Sequence, residues 1–408
     1  MLFARLLHHV VRTGALTLVD ANGGTHRCGD GTGRPITIKL HDRALHYKLF
    51  LHPELHLGEA YMNSTLTFEE GSLRDLLILF GQNLSNYRTH GFHNAASRLR
   101  TMLRRLWQHN PVGRAKDNVA HHYDLSGKLY DLFLDKDRQY SCGYFLTGND
   151  TIETAQENKK RHIAAKLLLK PGMKVLDIGS GWGGLGLYLA DVADVDVTGV
   201  TLSEEQHKLS TRRAMDAGLS NRVRFHLKDY RHETERYDRI VSVGMFEHVG
   251  AKHYDEFFDQ VRSLLKDDGV MLLHSIGRME PPGHTNAWLR KYIFPGGYSP
   301  ALSEAVAAVE RAGLWITDIE ILRLHYAETL AEWTRRFRAN RDAIKKLYDE
   351  RFCRMWEFYL TGCEVSFRYF DQMVFQMQIS KRPDSVPLTR DYITEWEHTQ
   401  RRGLAAAQ

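Results

Sequence analysis

The chain is poor in cysteine. Its four thiols, Cys28, Cys142, Cys353 and Cys363, form no CxxC pair and no zinc spacing. That argues against a thiolate metal site and against a disulfide scaffold, and it fits a reducing cytoplasm. Long hydrophobic runs are missing too. No segment approaches the roughly 18 apolar residues that a membrane span requires, so the expectation is a soluble protein that meets any lipid from its surface. A strong charge of one sign is also lacking. The 55 basic and 50 acidic residues leave a formal charge of +5, too mild to single out nucleic acid or an anionic membrane as partner. The N-terminus, "MLFARLLHHVVRTG", has no small-residue cleavage site and is expected to be a short helix and not a signal peptide. The sequence shows no internal repeat and no low-complexity segment.

What is present divides into three parts. A length of 408 residues supports a substantial core and two domains. Residues 14–70 are rich in β-formers: "GALTLVD", "ITIKL" and "ALHYKLFL" are expected as strands around the Gly-rich turn "NGGTHRCGDGTGRP". "TFEEGSLRDLLILFG" is expected to be helical, with Gly81 as its stop. Residues 1–92 thus form a small α+β domain with no catalytic signature. Residues 93–108 place Leu99, Met102, Leu103 and Leu106 on one helical face, with Arg98, Arg100, Arg104 and Arg105 supplying a basic side. This linker region, 93–118, either lies on anionic lipid or packs on the body with its arginines in water.

Residues 119–408 form the larger domain. From Pro171 strands and helices alternate: "KVLDIGSG", "DVDVTGVTLS", "RVRFHLKDY", "YDRIVSVGMFE" and "VMLLHSIG" are strands, with "EEQHKLSTRRAMDAG" and "HYDEFFDQVRSLLKDDG" as helices between them. That order predicts an α/β fold with a doubly wound parallel sheet. Residues 301–312 predict a helix and "LWITDIEILRLHY" a late strand; 327–378 are expected to be largely helical and rich in aromatic residues. The aromatic stripe is either ordinary core or a wall around a long apolar ligand.

The chemistry begins at "VLDIGSGWGG". Gly179, Gly181 and Gly183 follow a strand directly, where glycine permits a sharp turn and close approach of a ligand to the main chain. A lone GxGxG serves dinucleotides and S-adenosylmethionine alike. A dehydrogenase would place a ribose-binding acid about 20 residues further on, whereas Val200 and Thr201 stand there. "TLSEEQ" also fits a helix cap, with Ser203 as N-cap and Gln206 at the third helical position.

Seven motifs now stand in order: "YSCGYF", "LDIGSGWGG", "TLSEEQ", "SVGMFEHVG", "LLHSIG", "KYIFPGG" and "HYAETLAEW". In order and spacing they resemble the cyclopropane fatty acid synthases, bacterial enzymes that methylenate unsaturated chains of membrane phospholipids. The resemblance is strong over about residues 117–380 and looser over 14–90. It implies a class I methyltransferase (Rossmann-like) sheet with helical additions at the substrate pocket. It implies that Tyr140, Ser141, the loop from Val175 and Asp177 through Gly179, Gly181 and Gly183, then Thr201, Leu202, Gln206, Tyr230 and Arg231 bind S-adenosylmethionine. It further implies that Cys142, Glu247, His274, the backbone of Ile276 and Tyr326 surround a bicarbonate ion, with no metal. The motif position often held by cysteine in that family is Ser180 here. The implied partner is the anionic surface of a phospholipid bilayer, with no nucleic acid. The implied location is the cytoplasmic side of the bacterial membrane, and the implied assembly a homodimer.

Each of these residues also has a bland reading. Cys142 can be a small buried hydrophobe, Glu247 an acid that opens a turn, His274 a satisfied core histidine and Tyr326 a rim aromatic. The resemblance reverses those readings because alkene methylation leaves a cation in a fatty chain, and ring closure then needs a base close to the new methyl. A methyl-branched fatty acid synthase and a non-catalytic lipid-binding relative are the alternatives.

Overall fold

The computed structural model describes residues 1–89 and 127–406. The basic helix expected over 93–108 and the whole linker region 93–118 lie outside the described residues. The chain forms two compact units, and neither is a continuous stretch. The first comprises residues up to 107 with 283–295 and 327–372; the second comprises 108–282, 296–326 and 373–408.

In the first unit, β1 (Ala15–Val19), β2 (Thr25–Cys28), β3 (Pro35–Leu40) and β4 (Leu66–Glu70) form a sheet in the order β2-β1-β3-β4. Period-two alternation sets its inner face. Leu16 and Leu18 of β1 and Ile36, Ile38 and Leu40 of β3 join one buried cluster with Phe3, Leu6 and Leu7 of the N-terminal helix Leu2–Val10. Three expectations change here. "ALHYKLFL" is the helix Leu45–Leu51, not a strand: Leu45 and Leu49 are both buried, and that i, i+4 spacing outweighs β-propensity. The Gly-rich stretch holds β2, whose Cys28 pairs with Leu16. "TFEE" belongs to β4, and the helix begins only at Leu73, after Ser72 caps it by accepting from Asp75 N.

The second unit contains β5 (Lys174–Ile178), β6 (Asp196–Thr201), β7 (Val223–Leu227), β8 (Tyr237–Val243), β9 (Leu265–Arg278), β10 (Trp315–Ile321) and β11 (Gln372–Ser380). Their order is β10-β11-β9-β8-β5-β6-β7. The pairs β5–β6, β6–β7, β5–β8 and β8–β9 are parallel, while β10 and β11 run antiparallel. The expected doubly wound parallel sheet is present, with an antiparallel pair added at one edge. Residues 372–378, expected to be helical, are strand. The strands are apolar on both faces because both faces are covered. Leu176, Ile240, Met271 and Leu273 enter a cluster with Phe257, Val261 and Val309. Their neighbours Val175, Val241 and Leu272 enter another with Ile163, Leu185 and Leu189. Adjacent residues pointing to opposite cores are the signature of a doubly wound sheet.

Gly81 was expected to stop its helix, but it lies inside Leu73–Gln82. A Cβ there would meet Tyr369 Cβ at 2.8 Å. An exposed glycine inside a helix gains about 1 kcal/mol on replacement by alanine. Here close packing reverses the sign, and Gly81→Ala is expected to cost about 1–3 kcal/mol. Urea unfolding of the two proteins checks this; a stabilised variant would return Gly81 to a purely local role.

Candidate active site

The sheet order reverses between β5 and β8, so their C-terminal ends flank a crevice where ligands of doubly wound folds bind. The chain leaves β5 through Gly179, Ser180 and Gly181, with Gly179 N and Ser180 N bonded to Val200 O at 2.9 and 3.0 Å. This folds the loop over the end of β6. Gly179 and Gly181 have φ of 83° and 54°, a left-handed conformation that favours glycine. A Cβ on Gly181 would meet nothing within 4 Å, so the loop leaves open space there.

That space is a cavity lined by Tyr140, Ser141, Asp177, Gly179, Gly181, Thr201, Leu202, Gln206, Tyr230 and Arg231, among others. These are ten of the twelve residues assigned above to the methyl donor. Val175 and Gly183 are not on its wall. Val175 is in the buried cluster beneath the strand. Gly183 caps the helix Gly184–Ala193, and a Cβ there would strike Phe225 and Ser210, so its job is packing. Ser203 caps the helix Glu204–Asp216 through Gln206 N, as its sequence predicts. Thr201 Oγ1 donates to Gln206 Oε1 at 2.8 Å, fixing both side chains at the cavity edge. Arg231 spends its guanidinium on Asp229, with contacts of 3.0 and 2.7 Å. Burial pushes the Asp177 carboxyl up to about 7, against the opposing pull of Lys159. Asp177 Oδ2 is buried with no hydrogen-bond partner among the described residues. Sequence reasoning missed Lys228, Met245, His248 and His253, which also line the space.

None of the five residues assigned to the ion site is on this wall; Cys142, Glu247 and His274 each adjoin a residue that is. Glu247 lies between Met245 and His248, which line the cavity, and its own Oε1 accepts from Ile276 N at 2.7 Å. The Ile276 amide therefore holds the carboxyl group. Glu247 Oε2 is buried and has no partner among the described residues. Burial pushes this carboxyl up to about 7, partly offset by the Ile276 N–H. His274 pairs with Val243 across β8 and β9, and its carbonyl accepts from Gly244 N at 2.9 Å. Burial, with Lys159 and Lys166 adding to it, pushes this imidazole down to about 3. Cys142 is buried directly after the lining residue Ser141. Tyr326 is buried in the first turn of the helix His325–Ala339.

The loop carrying Cys142 is held from behind. Lys159, fully buried, donates to Gln139 Oε1 and Ser141 Oγ, each at 2.7 Å. Tyr144 is stacked between His162 and His325, at 4.3 and 4.8 Å. Its hydroxyl donates to Glu320 Oε1 at 3.3 Å. Sequence reasoning also missed Lys159, Lys166, His162 and Gln376. Their only signal was the i, i+3, i+7 spacing of Lys159, His162 and Lys166.

The raised Glu247 pKa has a consequence for stability. A carboxyl whose folded pKa exceeds its unfolded value stabilises the fold fully below the unfolded value and loses that contribution as pH rises through the folded one. Between about pH 4.5 and 7, wild type should lose on the order of 3 kcal/mol that Glu247→Gln does not lose. The stability difference between the two proteins should therefore move in favour of the variant from pH 4.5 to pH 8. Denaturant midpoints at both pH values test this, and a constant difference would refute the buried-acid assignment.

The model of the mycolic acid cyclopropane synthetase family matches residues 112–377. The cyclopropane-fatty-acyl-phospholipid synthase of Escherichia coli K12 is 38% identical over 347 residues, covering 85% of this chain and 88% of the relative. The tuberculostearic acid methyltransferase UfaA1 of Mycobacterium tuberculosis is 34% identical over 377 residues, 89% of this chain and 87% of its own. Among solved structures, mycolic acid cyclopropane synthase CmaA1 complexed with SAH and CTAB superposes with a TM-score of 0.62 at 34% identity, covering 67% of this chain and 99% of that one. The chain belongs to the mycolic acid cyclopropane synthetase family and is an S-adenosylmethionine-dependent methyltransferase.

Proposed function

We propose that this enzyme transfers a methylene carbon from S-adenosylmethionine to the cis double bond of unsaturated acyl chains in membrane phospholipids, forming a cyclopropane ring. The observation that carries the reading is the buried group Glu247–Ile276, with His274 on β9 opposite the last residue of β8, set directly behind the wall of the glycine-loop cavity. The similarity to the phospholipid synthase spans 88% of that relative, which supports the phospholipid as substrate.

When bound, S-adenosylmethionine supplies an electrophilic methyl group on a sulfonium. Gly181 leaves room for it at the main chain, while Gly179 packs against Met245, and Asp177 Oδ2, without a partner among the described residues, offers an acceptor at the cavity floor. Tyr140, Ser141, Thr201, Leu202, Gln206 and Tyr230 complete its walls. Arg231 contributes through its pairing with Asp229 rather than as a free charge.

The second group is a small oxyanion, bicarbonate, and the donor set fits it. Glu247 offers a buried oxygen without a partner among the described residues, and His274 is a neutral ring on β9, level with the end of β8. Bicarbonate held there would supply a weakly basic oxygen close to the new methyl carbon. Cys142 and Tyr326 are assigned to the same enclosure. Glu247 and Ile276 fix one wall, and the burial of the group keeps water from an acyl-chain cation, which it would trap as an alcohol.

No described helix is long and apolar enough to cross a membrane. On this reading the enzyme is a homodimer docked from the cytoplasmic side on an anionic bilayer. A methyl-branched product is the second reading, favoured by the likeness to a tuberculostearic acid methyltransferase.

Lipid extraction after expression in a host without such an enzyme tests the proposal. Cyclopropyl protons in the NMR spectrum of the acyl chains are expected. A methyl doublet in their place would establish the second reading, and unchanged lipids would refute both. Gly181→Val, which forces a β-branched residue to a φ of 54° and fills the cavity, should abolish S-adenosylmethionine binding by calorimetry. Normal binding would displace the donor from this loop.

Glu247→Gln should lower the rate on the order of a hundredfold with donor affinity kept. Equal loss of affinity would make Glu247 a donor ligand. Carbonate-depleted buffer should slow wild type, and added bicarbonate should restore it. Indifference to bicarbonate, in wild type and in a Glu247→Gln protein that holds the ion weakly, would assign the proton to a side chain.

A further inference from the structure

From Phe375 to Gln378 β11 alternates apolar residues with glutamines. Met373, Phe375, Met377 and Ile379 enter an apolar core, whereas Gln376 and Gln378 turn to the other face, both buried. Buried amides cost free energy unless they are hydrogen-bonded, and here they are. Gln378 Nε2 donates to Lys166 O at 2.6 Å and to Tyr392 Oη at 2.8 Å. Gln376 bridges two charged-type side chains. Its Oε1 accepts from Lys166 Nζ at 2.8 Å, and its Nε2 lies 3.2 Å from His274 Nδ1.

The chemistry of Lys166 decides which way this amide points. An ammonium has three donors and no acceptor. The Gln376 atom that meets it must be the oxygen, which leaves the NH2 facing His274. An NH2 only donates, so Nδ1 of His274 must be an unprotonated acceptor. A neutral imidazole with a bare Nδ1 carries its hydrogen on Nε2. Burial draws the Lys166 pKa down from its ordinary value against the pull of Glu320, the carboxylate it pairs with as an ammonium; Glu320 also receives His162 Nε2 at 2.7 Å. Burial raises the Glu320 carboxyl, but the His162 bond and the Lys166 charge outweigh that and hold it well below the usual range.

We propose that Gln376 and Lys166 are positioning residues that lock His274 as its neutral Nε2–H tautomer, so that the ring gives a hydrogen bond into the reaction site and does not accept one. The role of that hydrogen bond rests on the function proposed above; the tautomer does not. An oxyanion between two unprotonated acceptors would be repelled by both. A ring locked as a donor removes that repulsion, and its reach is set by an amide whose own partner is a buried charge. Such outer partners of a reacting histidine typically change rates by about 10–100-fold.

The test is NMR of the full-length enzyme labelled with [15N]histidine, with His274 assigned by its disappearance in His274→Asn. Wild type is expected to show an unprotonated Nδ1 and a protonated Nε2 for this ring. Gln376→Leu should lose the single tautomer and lower kcat by roughly tenfold or more, with the KM for S-adenosylmethionine unchanged. Gln376→Met, closer in length, serves if the leucine variant does not fold. Lys166→Met should act in the same direction, while Lys166→Arg, which keeps a donor, should restore both readouts. A protonated Nδ1 in wild type, or a redistributed tautomer with unchanged kcat, would overturn the proposal. Absence of any product from wild type would refute the reaction while leaving the tautomer measurement intact.

Discussion

Much of the catalytic unit is organised by a polar stripe that faces inward. Lys159, His162 and Lys166 stand at i, i+3 and i+7 on the helix Ile152–Lys166, and all three are buried. Each buried ion costs several kcal/mol unless it is paired and hydrogen-bonded. The stripe therefore dictates what surrounds it. Lys159 requires Gln139 and Ser141, which fixes the loop that carries Cys142. His162 bridges Glu320 and Glu397. Lys166 requires Glu320 and Gln376, which brings the amide face of β11 against the helix. An apolar stripe would have packed more cheaply and specified none of these positions.

Legibility in the sequence follows from the same contrast. The strands β5, β6, β8 and β9 are apolar on both faces, and the glycine loop and the Ser203 cap have local signatures. These were readable because their causes are local. The inward stripe was not, because "NKKRHIAAK" has the composition of a solvated helix face. Only tertiary partners far away in sequence, such as Glu320, Gln376 and Glu397, turn those charges inward. "MVFQMQIS" was read as helix for a related reason. Its alternation of apolar residues and glutamines is strand-like once the glutamines have a buried polar partner, and nothing in the segment itself announces one. In the first unit, "ALHYKLFL" failed the other way, its β-forming residues overruled by the burial of Leu45 and Leu49 on one helical face.

The site joins groups that burial moves in opposite directions. The Glu247 and Asp177 carboxyls are pushed up to about 7, and the His274 imidazole down to about 3. One cause acts in all three cases, since a low dielectric disfavours whichever form is charged. Near neutral pH the result is a carboxyl group balanced between acid and carboxylate, beside a histidine that is fully neutral. The protonated carboxyl is a poor nucleophile, and the bare Nδ1 of the neutral ring is turned to Gln376. This matters where a reactive methyl group must reach an alkene, a poor nucleophile, ahead of any side chain nearby.

Charge balance then bears on what occupies the enclosure. The charges that lower the His274 pKa after burial are Lys159, Lys166 and His162, with Glu320 opposing them. A field that resists a proton on His274 is a positive field at that ring, and it favours an anion placed beside it. The lysine ammonium groups are spent on Gln139, Ser141, Gln376 and Glu320, so the anion would feel their potential without contacting them. Contact would fall to donors that carry no net charge: the His274 ring and, in its protonated form, Glu247. On the proposed reading such a site would hold a weakly basic oxyanion while keeping its lone pairs only partly engaged. That condition is needed for an oxygen that must accept a proton from carbon and yet not compete for the methyl group itself.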